Sequence, residues 1–182
     1  MAITAGAVLA LAGLSYSVYW FSGGIRGGQS GTGTGMAADR IAPQFKLKDA
    51  LNQEVSLSQF RGQLTLVHFW ASWCPPCLAE LPKVLELARQ FQGRPFKIVL
   101  ISLDENWKDA AKALPAGPLP SNIVSLIDPT SKVAEEYGSY QFPESYLLDP
   151  SQKIVTKWVG GQAWDSEPIH KLLERLMGAV SG

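Results

Sequence analysis

The feature that most constrains this chain is an unbroken succession of an apolar segment, a closely spaced cysteine pair and an amphipathic segment. Residues 64–70 are almost continuously apolar, which is typical of a strand covered on both faces of a sheet. The motif CPPC follows at residues 74–77, and residues 76–91 then carry apolar side chains at helical spacing. This order predicts a buried strand that leads through the cysteine pair into a helix.

The rest of the sequence predicts an α/β fold with a mixed central β-sheet flanked by helices. The other predicted elements are a hairpin at residues 45–57, strands at 96–103 and 123–127, helices at 107–114 and 130–137, a second hairpin at 146–148 and 154–159, and a final helix that begins near Asp165 or Ser166. The buried helix faces are predicted to be Leu78, Leu81, Leu85 and Ala88 in the first helix, and Ile169, Leu172, Leu173 and Leu176 in the last.

Charge is distributed unevenly along the 182 residues. The 16 Lys and Arg balance the 16 Asp and Glu, and this neutral total argues against nucleic-acid binding, which needs a basic face for the phosphates. Residues 1–38 contain a single charged side chain, Arg26. The chain therefore divides into an almost uncharged N-terminal part and one domain, residues 39–182.

The N-terminal part predicts attachment to a membrane. Residues 1–21 are mostly apolar and have no charged side chain, and about 20 such residues cross a bilayer core as a helix. A cleavable secretory signal is the alternative, with small residues supplied by Ala37 and Ala38. Residues 22–38 are rich in Gly and predict a flexible tether; an inert spacer is the other interpretation.

The cysteine pair predicts redox chemistry. Two cysteines three residues apart at a helix N-terminus can close a small disulfide, and the free N–H groups there stabilise a thiolate on the first sulfur. Such a thiolate attacks disulfides, and the second thiol releases the product. One alternative is a structural disulfide, which stabilises little across so short a loop. Another is half of a zinc site, which needs about four ligands, whereas the chain has two cysteines, and His68 and His170 share no ligand spacing with them.

Two segments resemble the thioredoxin superfamily. Residues 69–77 (FWASWCPPC) are similar to its active-site segment, and residues 142–149 (FPESYLLD) to the segment that holds its cis-proline. Within the superfamily the chain resembles the membrane-anchored TlpA/ResA/CcmG-type thiol–disulfide oxidoreductases of bacteria over about residues 41–177. That closer resemblance rests on residues 42–45, 55–62 and 78–82 and on an extra helix and strand between residues 104 and 130. It implies a thioredoxin-like fold with an N-terminal hairpin extension and a central helix–strand insert.

The resemblance also implies roles for individual residues. Cys74 matches the exposed nucleophile, Cys77 the buried resolving thiol, and Pro143 the proline whose peptide bond is cis, a trans bond in a loop being the alternative. A client peptide is expected to pair with the backbone just before this proline like an added strand. The substrate-binding residues are predicted to be Trp73, Pro75, Pro76 and Phe142. A bulky Phe142 departs from the family, which often has a small residue there.

Two ionisable residues are candidates for proton transfer. Glu80 lies one helical turn beyond Cys77 and matches the acidic residue that tunes the thiols in ResA-like proteins, so it is a further candidate catalytic residue. A solvated Glu80 that pairs with Lys83 or Lys112 is the alternative. His68 departs from the family, where a buried Asp or an amide side chain is usual. An imidazole there can accept a proton from the resolving thiol near neutral pH, and a neutral, hydrogen-bonded core His is the other interpretation.

The sequence and the resemblance together predict a thiol–disulfide oxidoreductase that reduces disulfides of client proteins, for example in cytochrome c maturation. The two prolines between the cysteines supply no cation to stabilise the Cys74 thiolate, unlike the His found there in strong oxidants. A membrane thiol electron donor is expected to re-reduce the pair, with no metal and no cofactor besides the Cys74–Cys77 disulfide.

We expect a monomer on a single-pass anchor in the bacterial cytoplasmic membrane, with the domain on the periplasmic side, because a tethered dithiol is most useful in an oxidising compartment. A copper- or haem-delivery protein that binds through the cysteine pair is one alternative function. A peroxidase of the peroxiredoxin type is another, although the Pro-x-x-x-Thr-x-x-Cys signature is absent from the sequence.

Overall fold

A computed structural model describes residues 40–178. The anchor predicted for residues 1–21 and the tether predicted for residues 22–38 lie outside the described residues. Within the described part of the chain, no helix is both long enough and apolar enough to cross a membrane.

Residues 40–178 form seven strands, four α-helices and one 3₁₀ helix. The strands are β1 (Lys46–Lys48), β2 (Glu54–Ser56), β3 (Leu64–Trp70), β4 (Phe96–Ser102), β5 (Ile123–Ile127), β6 (Glu144–Leu148) and β7 (Ile154–Val159). The helices are α1 (Pro75–Gln90), α2 (Trp107–Ala113), α3 (Lys132–Tyr137) and α4 (Glu167–Gly178), with the 3₁₀ helix at Leu57–Phe60. The predicted elements are all present, and the 3₁₀ helix takes Leu57 out of the predicted hairpin.

One mixed sheet contains these seven strands in the order β2-β1-β5-β4-β3-β6-β7. The strands β3, β4 and β5 run parallel to one another, whereas β6 pairs antiparallel with β3 and β7 pairs antiparallel with β6. The hairpin of β1 and β2 extends the sheet beyond β5. This topology confirms the predicted α/β architecture, including the N-terminal hairpin and the helix–strand insert formed by α2 and β5.

The central strand β3 determines where the cysteine motif lies. All seven of its residues are buried, as the continuous apolar pattern predicts for a strand with neighbours on both sides. The chain leaves β3 at Trp70, and α1 begins at Pro75. The cysteine motif therefore lies between the carboxyl end of a buried strand and the N-terminus of the longest described helix.

The predicted buried faces of the helices are largely confirmed, since Leu81, Leu85 and Ala88 of α1 and Ile169 and Leu173 of α4 are buried. In α1, Leu78 was expected in the core but is 39% exposed. The buried face also includes Cys77 and Val84. Together with Leu81 and Ala88, these residues follow the three- and four-residue spacing of one helix face. In α4, Met177 joins Ile169 and Leu173 in the core, while Leu172 and Leu176 are partly buried. The rotation of α1 turns Leu78 outward and brings both Cys77 and Glu80 inside.

Candidate active site

The cysteine pair occupies the N-terminus of α1 and forms a disulfide bond. Cys74 is the N-cap residue, and its Sγ accepts a hydrogen bond from the backbone N–H of Cys77 at 3.3 Å. Pro75 and Pro76 fill the first helical positions, where a backbone N–H has no partner within the helix. A helix N-terminus favours negative charge, so this position stabilises a thiolate on Cys74 when the pair is reduced.

The two sulfur-bearing residues differ in their access to solvent. Cys77 is fully buried, whereas Cys74 keeps 6% of its surface exposed at the rim of the site. Next to Cys74, the side chain of Trp73 is 62% exposed, and Pro75 and Pro76 are exposed as well. A partner protein can therefore contact this rim, and of the two sulfurs it meets that of Cys74 first.

The Phe142–Pro143 peptide bond lies beside the disulfide and is cis, which confirms the predicted isomer. The carbonyl oxygen of Phe142 is 3.6 Å from Sγ of Cys74. The half-buried Phe142 ring packs edge-on against Trp73, with ring centroids 6.4 Å apart. Pro143 is buried, and its carbonyl oxygen accepts a hydrogen bond from the N–H of Gly160 at 2.8 Å. The fold thus brings Phe142 to the adjacent residues Trp73 and Cys74, from which it is distant in sequence.

Glu80 is buried, with 4% of its surface exposed. Its Oε1 accepts hydrogen bonds from the backbone N–H of Gln162 at 2.8 Å and from the indole N–H of Trp164. Its Oε2 has no hydrogen-bond partner among residues 40–178. Burial raises the pKa of this carboxyl group above its ordinary value, against the opposing influence of the two hydrogen bonds and of Lys83.

These contacts differ from the alternative in which Glu80 is a solvated partner of a lysine. Lys83 instead pairs with Asp165 at 3.8 Å, and Lys112 pairs with Asp109 at 2.7 Å. Glu80 and Cys77 lie three residues apart in α1 and both are buried, so they lie on the same buried face of the helix.

His68 is fully buried in β3. Its Nδ1 lies 2.8 Å from the hydroxyl oxygen of Ser145, and Nε2 has no hydrogen-bond partner in the described part of the chain. Burial lowers the pKa of the imidazole to about 4, so His68 is neutral at pH 7. These contacts favour the neutral core His over an imidazole that accepts a proton near neutral pH. His170, expected at the surface, is half-buried, and its Nε2 lies 3.0 Å from the carbonyl oxygen of Trp164.

Asp104 is a buried residue of the site that the sequence reasoning missed. Its carboxylate accepts hydrogen bonds from the N–H of Ser72 at 3.0 Å, from the hydroxyl of Ser72 at 2.6 Å and from the hydroxyl of Ser102 at 2.6 Å. These bonds tie the end of β4 to the loop that carries Trp73 and Cys74. The sequence does contain a signal, since Asp104 is an acidic residue directly after a buried strand.

Gln162 and Trp164 were also missed, and no local sequence signal points to them. They lie in the connection between β7 and α4, 82 and 84 residues from Glu80 along the chain. Among the described residues, no group of three or more His, Cys, Asp and Glu side chains is arranged to hold a metal ion. The site thus holds one cysteine at its rim and one fully buried cysteine, a pair that can exchange thiols and disulfides.

Known proteins are similar to this chain in sequence and in structure. The model of the AhpC/TSA family matches residues 38–157. A thiol:disulfide interchange protein DsbE from Allochromatium vinosum is 34% identical over 148 residues, which cover 77% of this chain and 77% of that protein. A thiol-disulfide oxidoreductase ResA from Geobacillus thermodenitrificans is 30% identical over 149 residues, which cover 81% and 79% of the two chains. The solved thioredoxin domain of a thiol-disulfide oxidoreductase from Bacteroides vulgatus has a TM-score of 0.65 at 30% identity and covers 78% of this chain and 99% of that one.

Proposed function

The chain belongs to the AhpC/TSA family and is a thiol–disulfide oxidoreductase with a thioredoxin-like fold, and from this premise we propose that it is a reductant of client disulfides in which Cys74 is the nucleophile. The position of Cys74 carries the proposal. Its sulfur caps α1 and lies 3.6 Å from the carbonyl oxygen of Phe142, and the residue keeps 6% of its surface exposed next to Trp73. The two residues between the cysteines are prolines. They carry no positive charge that would add to the stabilisation of the Cys74 thiolate by the helix N-terminus.

The reaction transfers two electrons from the dithiol to the client. The Cys74 thiolate attacks one sulfur of the client disulfide, so that the client S–S bond breaks, a mixed disulfide forms and one client thiolate leaves. Cys77 then loses its proton and attacks Sγ of Cys74, which closes the Cys74–Cys77 disulfide and releases the second client thiolate. The two client thiolates are protonated by water. A thiol donor returns the pair to the reduced state by the same steps in reverse.

Glu80 is the proposed acceptor of the Cys77 proton. Its Oε2 is free of hydrogen bonds to the described residues, and burial raises the pKa of the carboxyl group, which makes the carboxylate a stronger base. His68 is a weaker candidate because its pKa of about 4 makes it a poor base at neutral pH. We therefore assign His68 to packing and to its contact with Ser145.

The client peptide is proposed to bind as an added strand along the backbone before Pro143. Pro143 is buried next to β6, and this supports a role in holding the preceding backbone beside the disulfide. Trp73, Pro75, Pro76 and Phe142 supply apolar surface on both sides of Cys74. Aromatic side chains of this kind contribute large contact areas at protein interfaces.

The proposed setting is the outer side of a bacterial cytoplasmic membrane. The apolar residues 1–21 and the Gly-rich residues 22–38 support an anchor and a tether that let the domain meet clients near the membrane. We propose that the protein acts as a monomer, takes electrons from a membrane thiol donor and uses no cofactor besides the cysteine pair. By resemblance, apocytochrome c with oxidised haem-site cysteines is the proposed client.

A redox titration of the Cys74–Cys77 pair against glutathione or dithiothreitol tests the direction of electron flow. Thioredoxin-fold dithiols span roughly −270 to −120 mV, and we expect a potential near the reducing end, together with efficient reduction of insulin disulfides. A potential near −120 mV contradicts the reductant assignment.

The same preparation tests the other two functions. Consumption of hydrogen peroxide by the reduced protein at the rate of disulfide reduction supports a peroxidase instead. Tight binding of Cu(I) by Cys74 and Cys77 with negligible insulin reduction supports a metal-delivery protein.

A further inference from the structure

Trp164 lies in the connection between β7 and α4 and reaches into the interior of the domain. It is 1% exposed. Its indole ring packs edge-on against Trp158, with centroids 5.3 Å apart, and against the ring of His68, with centroids 6.4 Å apart. Its carbonyl oxygen lies 3.0 Å from Nε2 of His170. These contacts fix the position of the indole ring from several sides.

The indole N–H of Trp164 is directed at Glu80 and donates to Oε1. The backbone N–H of Gln162 donates to the same oxygen at 2.8 Å. Both donors from this connection therefore act on one carboxyl oxygen, while Oε2 has no hydrogen-bond partner in residues 40–178. Because Oε1 accepts two hydrogen bonds, it is favoured as a charged or carbonyl-type oxygen without a proton. When Glu80 is protonated, its proton therefore resides on Oε2.

We propose that Trp164 is a positioning residue for proton transfer, because its indole N–H holds Oε1 of Glu80 and leaves Oε2 as the oxygen that exchanges a proton with Cys77. The inference rests on the proposed function, in which Glu80 accepts that proton. The indole ring itself touches no reacting atom. It acts by fixing the rotamer of Glu80 and by stabilising the ionised carboxylate.

Other charged and titratable groups around Glu80 offer few substitutes for this contact. On α1, Cys77 precedes Glu80 by one turn, and Lys83 is exposed and pairs with Asp165 of the connection. From β3, His68 is neutral at pH 7 because burial lowers its pKa to about 4. The indole N–H is thus the side-chain hydrogen-bond donor that the fold supplies to the Glu80 carboxylate.

The substitution Trp164→Phe removes the N–H and keeps an aromatic ring. The rate at which the reduced protein reduces a peptide disulfide is measured from pH 4.5 to 9 for the wild type, Trp164→Phe, Glu80→Gln and the double variant. Loss of a hydrogen bond to the ionised form raises the pKa of Glu80, so we expect the Glu80-dependent inflection to move up by about one pH unit in Trp164→Phe. At pH values below both inflections, the rate falls about tenfold with it, because the ionised fraction of Glu80 falls tenfold. In the Glu80→Gln background, Trp164→Phe has no further effect on the profile.

Trp158→Phe is the matched control, since Trp158 is a neighbouring half-buried tryptophan that packs on the same ring. We expect its pH profile to equal that of the wild type. A profile of Trp164→Phe that matches the wild type, with Glu80→Gln still altered, overturns the positioning role and leaves the role of Glu80 intact. If the wild-type profile has no inflection that is lost in Glu80→Gln, both the positioning role of Trp164 and the role of Glu80 are overturned.

A second measurement needs no substitution at Trp164. In protein labelled with ¹⁵N-tryptophan, we expect the indole N–H resonance of Trp164 to move more in Glu80→Gln than those of the other five tryptophans, because the acceptor changes from a carboxylate to an amide. An unchanged Trp164 resonance contradicts the proposed contact even if the Trp164 variant does not fold.

Discussion

Two glutamates of this domain are buried to the same extent but have different surroundings. Glu80 is 4% exposed and Glu144 is 3% exposed. Glu144 forms an ion pair with Lys157 at 2.9 Å, whereas Glu80 receives two N–H donors on one oxygen and lacks an ion pair in the described part of the chain. The two glutamates therefore do not differ in burial. They differ in their partners, which matter because burying a carboxylate without a compensating partner is costly.

The partners of Glu144 indicate a structural role. Lys157 balances its charge and also donates to the carbonyl oxygen of Gly138 at 2.9 Å. The hydroxyl of Tyr146 lies 3.4 Å from the same carboxylate oxygen, and the backbone N–H of Gln141 lies 3.4 Å from the other. Both oxygens are therefore in use, and the network fixes the loop that leads into the cis peptide bond.

Glu80 has the opposite pattern, with one oxygen in use and one free. A carboxyl group of this kind can change its protonation state without breaking an ion pair. The free oxygen and the absence of an ion pair among the described residues distinguish Glu80 from Glu144 and support its proposed role as a proton carrier.

The largest expected effect comes from breaking the pair at Glu144. Lys157→Met leaves a buried carboxylate without its cation, so we expect the oxidised protein to lose about 4 kcal/mol of unfolding free energy in urea denaturation at pH 7. The double variant Glu144→Gln, Lys157→Met is expected to recover part of this loss. A change of less than about 1 kcal/mol in Lys157→Met contradicts the structural role of the pair.

His68 extends the comparison, since it is a buried base that contacts Trp164. Its folded-state pKa of about 4 lies below the ordinary value of 6.5, so its neutral form is favoured on folding. Its contribution to stability is thus complete above pH 6.5 and is lost as the pH falls towards 4. Between pH 7 and 4, we expect the wild type to lose about 3 kcal/mol more unfolding free energy than His68→Asn.

Glu80→Gln is expected to change the reaction more than the stability. Without the proton acceptor, the rate of client disulfide reduction at pH 7 should fall about 100-fold, while Glu144→Gln should change the rate per folded molecule less. Stopped-flow measurement of the Trp fluorescence change on oxidation separates the two variants. Equal rate losses in both would remove the distinction between the two glutamates.

The smallest expected effect is the pH dependence of stability due to Glu80. Its folded-state pKa is raised by burial, so the protonated form is favoured on folding, and stability falls as the pH rises above the unfolded-state pKa. Relative to the wild type, Glu80→Gln should therefore be more stable at pH 8 than at pH 4.5. The measurement is urea denaturation of the oxidised proteins at both pH values, and the opposite sign would contradict the raised pKa.

Much of the fold could be predicted from local patterns. The continuous apolar run gave the bounds of β3, and the proline-containing motif with a helical stripe after it located α1 within one residue of its start. Leu78 was assigned to the wrong face because the periodicity of a short stripe does not determine the rotation of a helix to within one residue. The packing of α1 against the sheet determines that rotation.

The site was predictable only where its residues form a motif. Cys74, Cys77 and the cis bond at Pro143 follow from short segments, whereas Glu80 acquires its environment from Trp164, 84 residues further along. Asp104 and Lys157 likewise act through contacts made across the sheet. Such contacts depend on strand order and register, and a single sequence does not specify these.

Trapping of mixed disulfides is the sharpest test of whether Cys74 attacks client disulfides and Cys77 resolves the product. With two cysteines in the chain, any mixed disulfide formed by Cys77→Ala must involve Cys74. We expect Cys77→Ala, expressed as the full-length protein, to accumulate dithiothreitol-sensitive adducts with client proteins, and the Cys74→Ala variant to accumulate far fewer. Absence of adducts in Cys77→Ala, or equal amounts in both variants, would contradict these roles of the two cysteines.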